Sequence, residues 1–251
     1  MKARYWIIPA VFALTGSTVP AGAADLLGSA ANFAVLGGST VTNISESAVI
    51  GDLGAWPGSA IVRPPPITVT GTLHWGDEVA MHAQRDVALA YATLDGMSPA
   101  RDLSGQSLGG MTLTPGVYLF SSEVALTGPL TLDAQNNPSA VFVFQIHSSL
   151  TTASNSSVAV INGGAECNLY WLVSRSVILG EQTAFRGSIL AKGNITMHPG
   201  ATINNGRALA RGGAVRLDGN TITAGPSCPN PFTTNERGSW GQVKSLFVST
   251  P

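Results

Sequence analysis

Apolar residues recur along this chain in two rhythms, and the switch between them divides it. Within residues 76–94 they fall at steps of three and four, at Val79, Ala83, Val87, Ala90, Tyr91 and Leu94, which predicts one amphipathic helix. Asp77 and Glu78 belong to its first turn, where carboxylates suit the positive end of the helix dipole. Gly96 and Pro99 end it. Upstream, Pro64-Pro65-Pro66 is a rigid extended connector, unsuited to a helix or a central strand. From 108 to 223 the rhythm is that of short strands, such as Val117-Tyr118-Leu119-Phe120 and Val141-Phe142-Val143-Phe144-Gln145-Ile146, broken by frequent glycines.

Short strands with glycine corners fit a sandwich, a barrel or a solenoid. The polar segments at Glu181, Pro199 and Asp218 begin 18 and then 19 residues apart. A coil of three short strands and three corners needs about that length, which points to a solenoid. Phe33, Val35, Leu36, Val141, Val143, Phe185, Ile189, Ile195, Leu209 and Ile222 are expected in the core, and Trp171 is expected to be structural.

The first segment reads as a secretory leader. Lys2 and Arg4 precede an apolar run, and Ala21-Gly22-Ala23 supplies the small-x-small cleavage pattern. A cut after Ala23 is expected to release the mature chain outside the cell, with no later stretch apolar enough to insert in a membrane. Losing Lys2 and Arg4 takes the net charge from −1 to −3. That excludes a nucleic-acid partner, which needs a concentrated basic surface. Arg207, Arg211 and Arg216 are read as solvated loop and strand-edge positions. Charged residues make up only 11% of the chain, so Thr, Ser, Asn and backbone must supply the polar surface. Cys167 and Cys228 are expected to pair, as two cysteines in an exported chain usually do. Such a bridge closes a loop of about 60 residues and stabilises by about 4 kcal/mol.

Several long segments, in order, resemble the microbial ice-binding family of cold-living bacteria and fungi. They are Asn32-Phe33-Ala34-Val35-Leu36-Gly37-Gly38-Ser39-Thr40-Val41-Thr42-Asn43, Val49-Ile50-Gly51-Asp52-Leu53-Gly54 with the following helix, and Leu108-Gly109-Gly110-Met111-Thr112-Leu113-Thr114-Pro115-Gly116-Val117-Tyr118. Ala140 to Ile146, Gly206-Arg207-Ala208-Leu209-Ala210 and Val215 to Ile222 complete the match, which spans roughly residues 25–224. The resemblance implies a discontinuous right-handed β-solenoid of triangular cross-section with a long helix along one face. The N-terminal segment is expected to pair with coils formed late in the chain. The domains expected are a leader over 1–23, a solenoid over 24–227 and a C-terminal extension over 228–251.

The family binds ice through one flat, helix-free face, without catalysis or a cofactor. The expected partner is therefore an ice crystal surface, met by a monomer. Strong members carry Thr-Ala/Gly-x-Thr/Asn segments, and Thr152-Ala153-Ser154-Asn155 fits that pattern fully. Glu181-Gln182-Thr183-Ala184, Pro199-Gly200-Ala201-Thr202 and Asp218-Gly219-Asn220-Thr221 depart from it, and Thr42-Asn43-Ile44-Ser45 is a further contribution. The candidate ice-binding residues are thus Thr42, Thr152, Ser154, Asn155, Gln182, Thr183, Thr202, Asn220 and Thr221. With Glu181 and His198 disturbing the pattern, weak to moderate thermal hysteresis is expected, with recrystallisation inhibition the sturdier activity. The alternative is an extracellular adhesion or matrix module on the same fold.

Other constellations favour bland readings. Gly105-Gln106-Ser107-Leu108-Gly109 matches the nucleophile elbow, but that elbow needs a strand before it and a helix after it, and here the order is loop then strand. His74, Glu78 and His82 share a spacing of four and suit zinc chemically, yet a solvated face is the simpler reading. His147 is expected to point outward. Asp102, Glu123, Asp133, Glu166 and Asp218 show no spacing suggestive of a paired-carboxylate site. Asn43, Asn155 and Asn194 begin glycosylation sequons, relevant only in a eukaryotic secretory pathway. In the tail, Trp240, Val243, Leu246 and Phe247 suit one side of a short helix.

Overall fold

The computed structural model describes residues 25–62 and 66–226. The expected leader, Pro64 and Pro65 of the connector, Cys228 and the tail helix lie outside the described residues. Within them the chain winds as a parallel β-solenoid with three faces. The first face stacks, in order, Arg101–Asp102, Gly116–Phe120, Phe142–Ile146, Leu169–Val173, the second halves of Ala184–Ala191 and Thr202–Ala210, then Phe33–Gly37, Asp52–Ala55 and Leu73–Trp75. The second face is a 7-stranded sheet running from Val124–Leu126 to Ala60–Val62. The third runs from Thr112–Leu113 through Pro129–Asp133, Ser157–Ile161, the first halves of the two long strands, Thr221–Thr223 and Ser47–Ile50 to Ile67–Val69.

The order is discontinuous, as expected. The N-terminal segment forms the last coils of the stack, and its strand Phe33–Gly37 lies between Thr202–Ala210 and Asp52–Ala55. A helix, α1 (Glu78–Asp95), then carries the chain back to the first coil. Its 18 residues rise about 27 Å, enough to cross five or six strand spacings of about 4.8 Å. Later coils advance by 18 or 19 residues, as in Ile178 to Thr196 and Thr202 to Thr221. Earlier ones advance by 26 or 27, from Val117 to Val143 to Tyr170. The extra residues form the turns after Asp133 and Ile161.

The first face is apolar on both sides, because α1 covers its outside. Phe142, Phe144 and Ile146 point into the solenoid, whereas Val141 and Val143 meet Ala80, Ala83, Val87, Tyr91 and Leu94 of the helix. That explains the unbroken apolar run at 141–144. Inside, Tyr118, Phe144 and Trp171 stack with centroids 5.5 and 4.0 Å apart, and Phe185 packs tilted against Trp171 at 4.9 Å. Gln145 is buried and closes the helix end: its Nε2 donates to Leu94 O at 2.8 Å and Met97 O at 2.9 Å, satisfying carbonyls the helix leaves orphaned. Asp77 is the N-cap rather than part of the first turn, and its Oδ1 accepts from Ala80 N at 2.9 Å. Val79 is 46% exposed. The apolar stripe starts instead at Ala80, because the helix turns its 80–83–87 edge to the sheet.

Arg207 overturns its solvated reading. It is 1% exposed, and burial pulls its guanidinium below the ordinary arginine value while Asp25 acts in the opposite sense. Nε and Nη2 donate to Ala31 O at 2.9 and 2.6 Å, Nη2 also to Gly225 O at 2.8 Å, and Nη1 to Ser188 Oγ at 3.3 Å. One side chain thereby ties the N-terminal 3-10 turn Gly28–Asn32 and the chain leaving Thr221–Thr223 to the stack. Beside it, Gly206 is compulsory: a Cβ there would come within 2.0 Å of Gly187 O.

Arg207→Leu leaves two carbonyls without a donor, each costing about 1–3 kcal/mol when buried. The variant is expected to lose about 3 kcal/mol in urea unfolding, with hydrogen exchange rising first in Phe33–Gly37. Arg216→Leu, at an exposed position, should change stability by less than about 0.5 kcal/mol.

Candidate functional site

Two faces carry no helix. On the third, strand register lines up Pro129, Ser157, Ala184, Thr202, Thr221, Ala48 and Thr68 in one outward row, each exposed or half-exposed. A parallel row two residues along holds Thr112, Thr131 and Ala159, then Arg186, Asn204, Thr223 and Ile50. Arg186, the cation in these rows, is neutralised by Glu166, whose other oxygen accepts from Asn205 Nδ2 at 2.6 Å. The second face has a mixed outward row of Ala125, Thr151, Ile178, Thr196, Arg216 and Thr42, flanked by exposed Glu123 and His198.

The corner between these faces explains the level row. The residue preceding five of the seven row positions, Ser157, Ala184, Thr202, Thr221 and Ala48, is small or polar and buried: Ser156, Thr183, Ala201, Asn220 and Ser47. Their side chains bond the coils together. Ser156 Oγ donates to Leu126 O at 2.8 Å, and the Thr152 and Thr183 hydroxyls meet at 2.8 Å. Asn220 Nδ2 donates to His198 O and Ala201 O, both at 2.9 Å, and Asn220 N donates to Ser47 Oγ at 3.0 Å. An inward-turned corner residue puts its successor outward, since strand side chains alternate.

The structure does not gather the nine expected site residues on one surface. Thr202 and Thr221 lie next to each other on the third face, whereas Thr42 is on the second. Ser154, Asn155 and Gln182 are exposed at the corner, the last two with φ of 61° and 55°. Thr152, Thr183 and Asn220 are 3%, 0% and 1% exposed. Those three are corrected: their polar groups face inward because the turn's own backbone needs partners, and a buried hydroxyl or amide cannot touch an external crystal. The same outward row also holds Ser157, Ala184, Ala48 and Thr68, which were not among the expected residues. For Ala184 the 18-residue step to Thr202 was a usable signal; for Ala48 and Thr68 the pairing of chain start with chain end hid it.

The remaining candidates have structural tasks. Ser107 Oγ donates to Ala125 O at 3.0 Å and lies 3.1 Å from Thr127 Oγ1. The His74 side chain is 12% exposed, not solvated; its Nδ1 lies 2.8 Å from Asp77 Oδ2 and its ring packs on Phe33. His147 is exposed, 3.6 Å from Asp95. Among the described residues no group of three or more His, Cys, Asp or Glu side chains is placed to hold a metal. Bonds from Ser104 hold Asp102 below the usual carboxylate range, and those from Gln135 and Asn162 do so for Asp133. A general acid needs the opposite shift. Cys167 is not a free thiol, and its expected partner lies outside the described residues.

Residues 35–223 match the Ice-binding-like family. The chain belongs to that family. An ice-binding protein of Nostoc sp. is 49% identical over 222 residues, covering 88% of this chain and 82% of its own. One from Flavobacterium frigoris is 33% identical, over 78% and 75%. The crystal structure of an ice-binding protein from the Antarctic ascomycete Antarctomyces psychrotrophicus superposes with a TM-score of 0.77 at 38% identity, over 80% of this chain and 98% of its own. Another, from an Antarctic biological consortium, gives 0.77 at 42%, over 87% and 96%. Both crystal structures superpose over most of the described stack.

Thr183→Val removes the hydroxyl that pairs with Thr152 while leaving the outward rows untouched. It should cost about 1–2 kcal/mol in denaturant unfolding and leave any surface activity of the folded chain unchanged.

Proposed function

We propose that this chain is a secreted, non-catalytic ice-binding protein that adsorbs to ice through its third face. The observation that carries this reading is the unbroken row of Ser157, Ala184, Thr202, Thr221, Ala48 and Thr68, all small, uncharged and at the strand spacing. Positions in the row lie about 4.8 Å apart and the adjoining row about 6.7 Å away. Both spacings are close to repeats of hexagonal ice. Methyls and hydroxyls at those points can order a water layer that merges with the crystal. Thr adds little entropic cost on being fixed, because its branched Cβ already restricts the side chain. Many weak contacts acting together make adsorption effectively irreversible.

The second face supports this role less well. Arg216, Glu123 and His198 stand exposed on it, and each organises its own hydration shell against a flat lattice. The third face has its own interruptions at Pro129 and Arg186. These suit modest thermal hysteresis, with inhibition of recrystallisation the stronger effect. The family relationship, the leader pattern at 1–23 and the low charge support export and action on ice outside the cell.

Thr202→Tyr and Ala184→Tyr each raise a bulky ring above the row and are expected to weaken recrystallisation inhibition about tenfold, equivalent to about 1.4 kcal/mol of adsorption. Thr196→Tyr, on the second face, should leave it within about twofold. The readout is ice-grain coarsening in frozen sucrose, with melting temperature checked alongside. Loss of activity in Thr196→Tyr alone would move the site to the second face. An inactive parent chain would end the proposal.

A further inference from the structure

Across the corner between the first and second faces, far from the third-face row in the coil path, a cavity of about 480 Å³ opens beside α1. That volume is within the usual range of small-molecule sites. Arg85 of the helix reaches it from one side, and Lys192 and Arg211, just past the ends of adjacent coils, reach it from the other. Trp56 and Ala88 add apolar wall. Three cations thus converge in a chain whose net charge is −1.

None of the three has a carboxylate within 4.0 Å among the described residues. Two are nevertheless held in place. The Lys192 ammonium lies 4.6 Å from the centroid of the Tyr91 ring, and the Arg211 guanidinium 5.6 Å from the same ring. Tyr91 is itself 2% exposed, with its hydroxyl 3.1 Å from Ser174 Oγ. A buried ring therefore positions two like charges side by side, where they repel each other. Arg186, by contrast, is paired with Glu166.

We propose that this cavity binds an acidic saccharide, a sugar ring carrying a carboxylate or sulfate ester. The anion sits between Arg85, Lys192 and Arg211, where charge-assisted hydrogen bonds are strongest. The ring lies on the apolar wall of Trp56 and Ala88, which a bare inorganic anion would not use. Aromatic surfaces with one wet edge suit such amphipathic ligands. The site faces away from the third-face row, so an occupied pocket leaves that row free. A chain held this way stays attached to an anionic extracellular polysaccharide while its other side meets ice. The pocket's function does not depend on ice adsorption.

Titration calorimetry of the secreted chain with tetragalacturonate and with a sulfated tetrasaccharide tests the idea against neutral maltotetraose and sodium sulfate. Saturable binding is expected for at least one acidic tetrasaccharide, about tenfold tighter than for either control. Arg85→Gln combined with Lys192→Gln should weaken it about tenfold or more, because both positions donate charge-assisted bonds. Arg216→Gln, an exposed cation on another face, should leave it unchanged. Circular dichroism melts of all variants verify folding. Sulfate binding as tightly as the sugars would overturn the saccharide assignment. Binding that survives in the double variant, or that falls equally in Arg216→Gln, would overturn the pocket. Absence of binding to both acidic sugars would overturn the whole proposal.

Discussion

Everything in this molecule depends on parallel coils stacking in register, because each strand finds its hydrogen-bond partners only in the coils above and below. A stack leaves open edges at its ends, and the chain adds a further demand by building its last coils from its first residues. Phe33–Gly37 must insert between strands contributed by the two ends of the sequence. Arg207 answers that demand. A buried guanidinium is costly unless its donors are satisfied, and here they are spent on Ala31, Gly225 and Ser188. The same side chain therefore penalises any arrangement in which the N-terminal segment is undocked.

Stacking also explains how the three faces come to differ. The first is apolar outside as well as inside because α1 seals it, and Gln84 and Gln145 bond helix and coils together through Ala210 O and Leu94 O. The other two are left to solvent, and their chemistry diverges. Charge on the third is confined to the Arg186–Glu166 pair and the edge carboxylate Asp133, whereas ionisable groups are scattered over the second. Arg85, Lys192 and Arg211 converge at the corner between first and second faces. A row of small, uncharged side chains and a pocket lined by cations thus lie on different sides of one stack.

Much of the fold was legible in the residues. The three-four rhythm marked α1, the 18- and 19-residue steps at Glu181, Pro199 and Asp218 marked the later coils, and every core residue expected is buried. The site was legible only in part. Thr202 and Thr221 stand on the flat row, but Thr152, whose segment fits the family pattern fully, turns inward to bond Thr183. A tetrapeptide pattern cannot tell which of its hydroxyls the corner uses for its own backbone. Nor does a lone Arg in an apolar segment announce that it will be buried.

By itself the sequence determined the periodicities, the family, the low charge and the identity of the small residues available for a level surface. These are properties of neighbours along the chain. Only the tertiary structure decided which of them share a row, because register joins Thr221 to Ala48 across 173 positions of sequence. It decided too that Arg207 is a clamp and that Arg85, Lys192 and Arg211 form one cavity. Side-chain direction at a corner and convergence of distant coils are set by packing, and no local pattern encodes them.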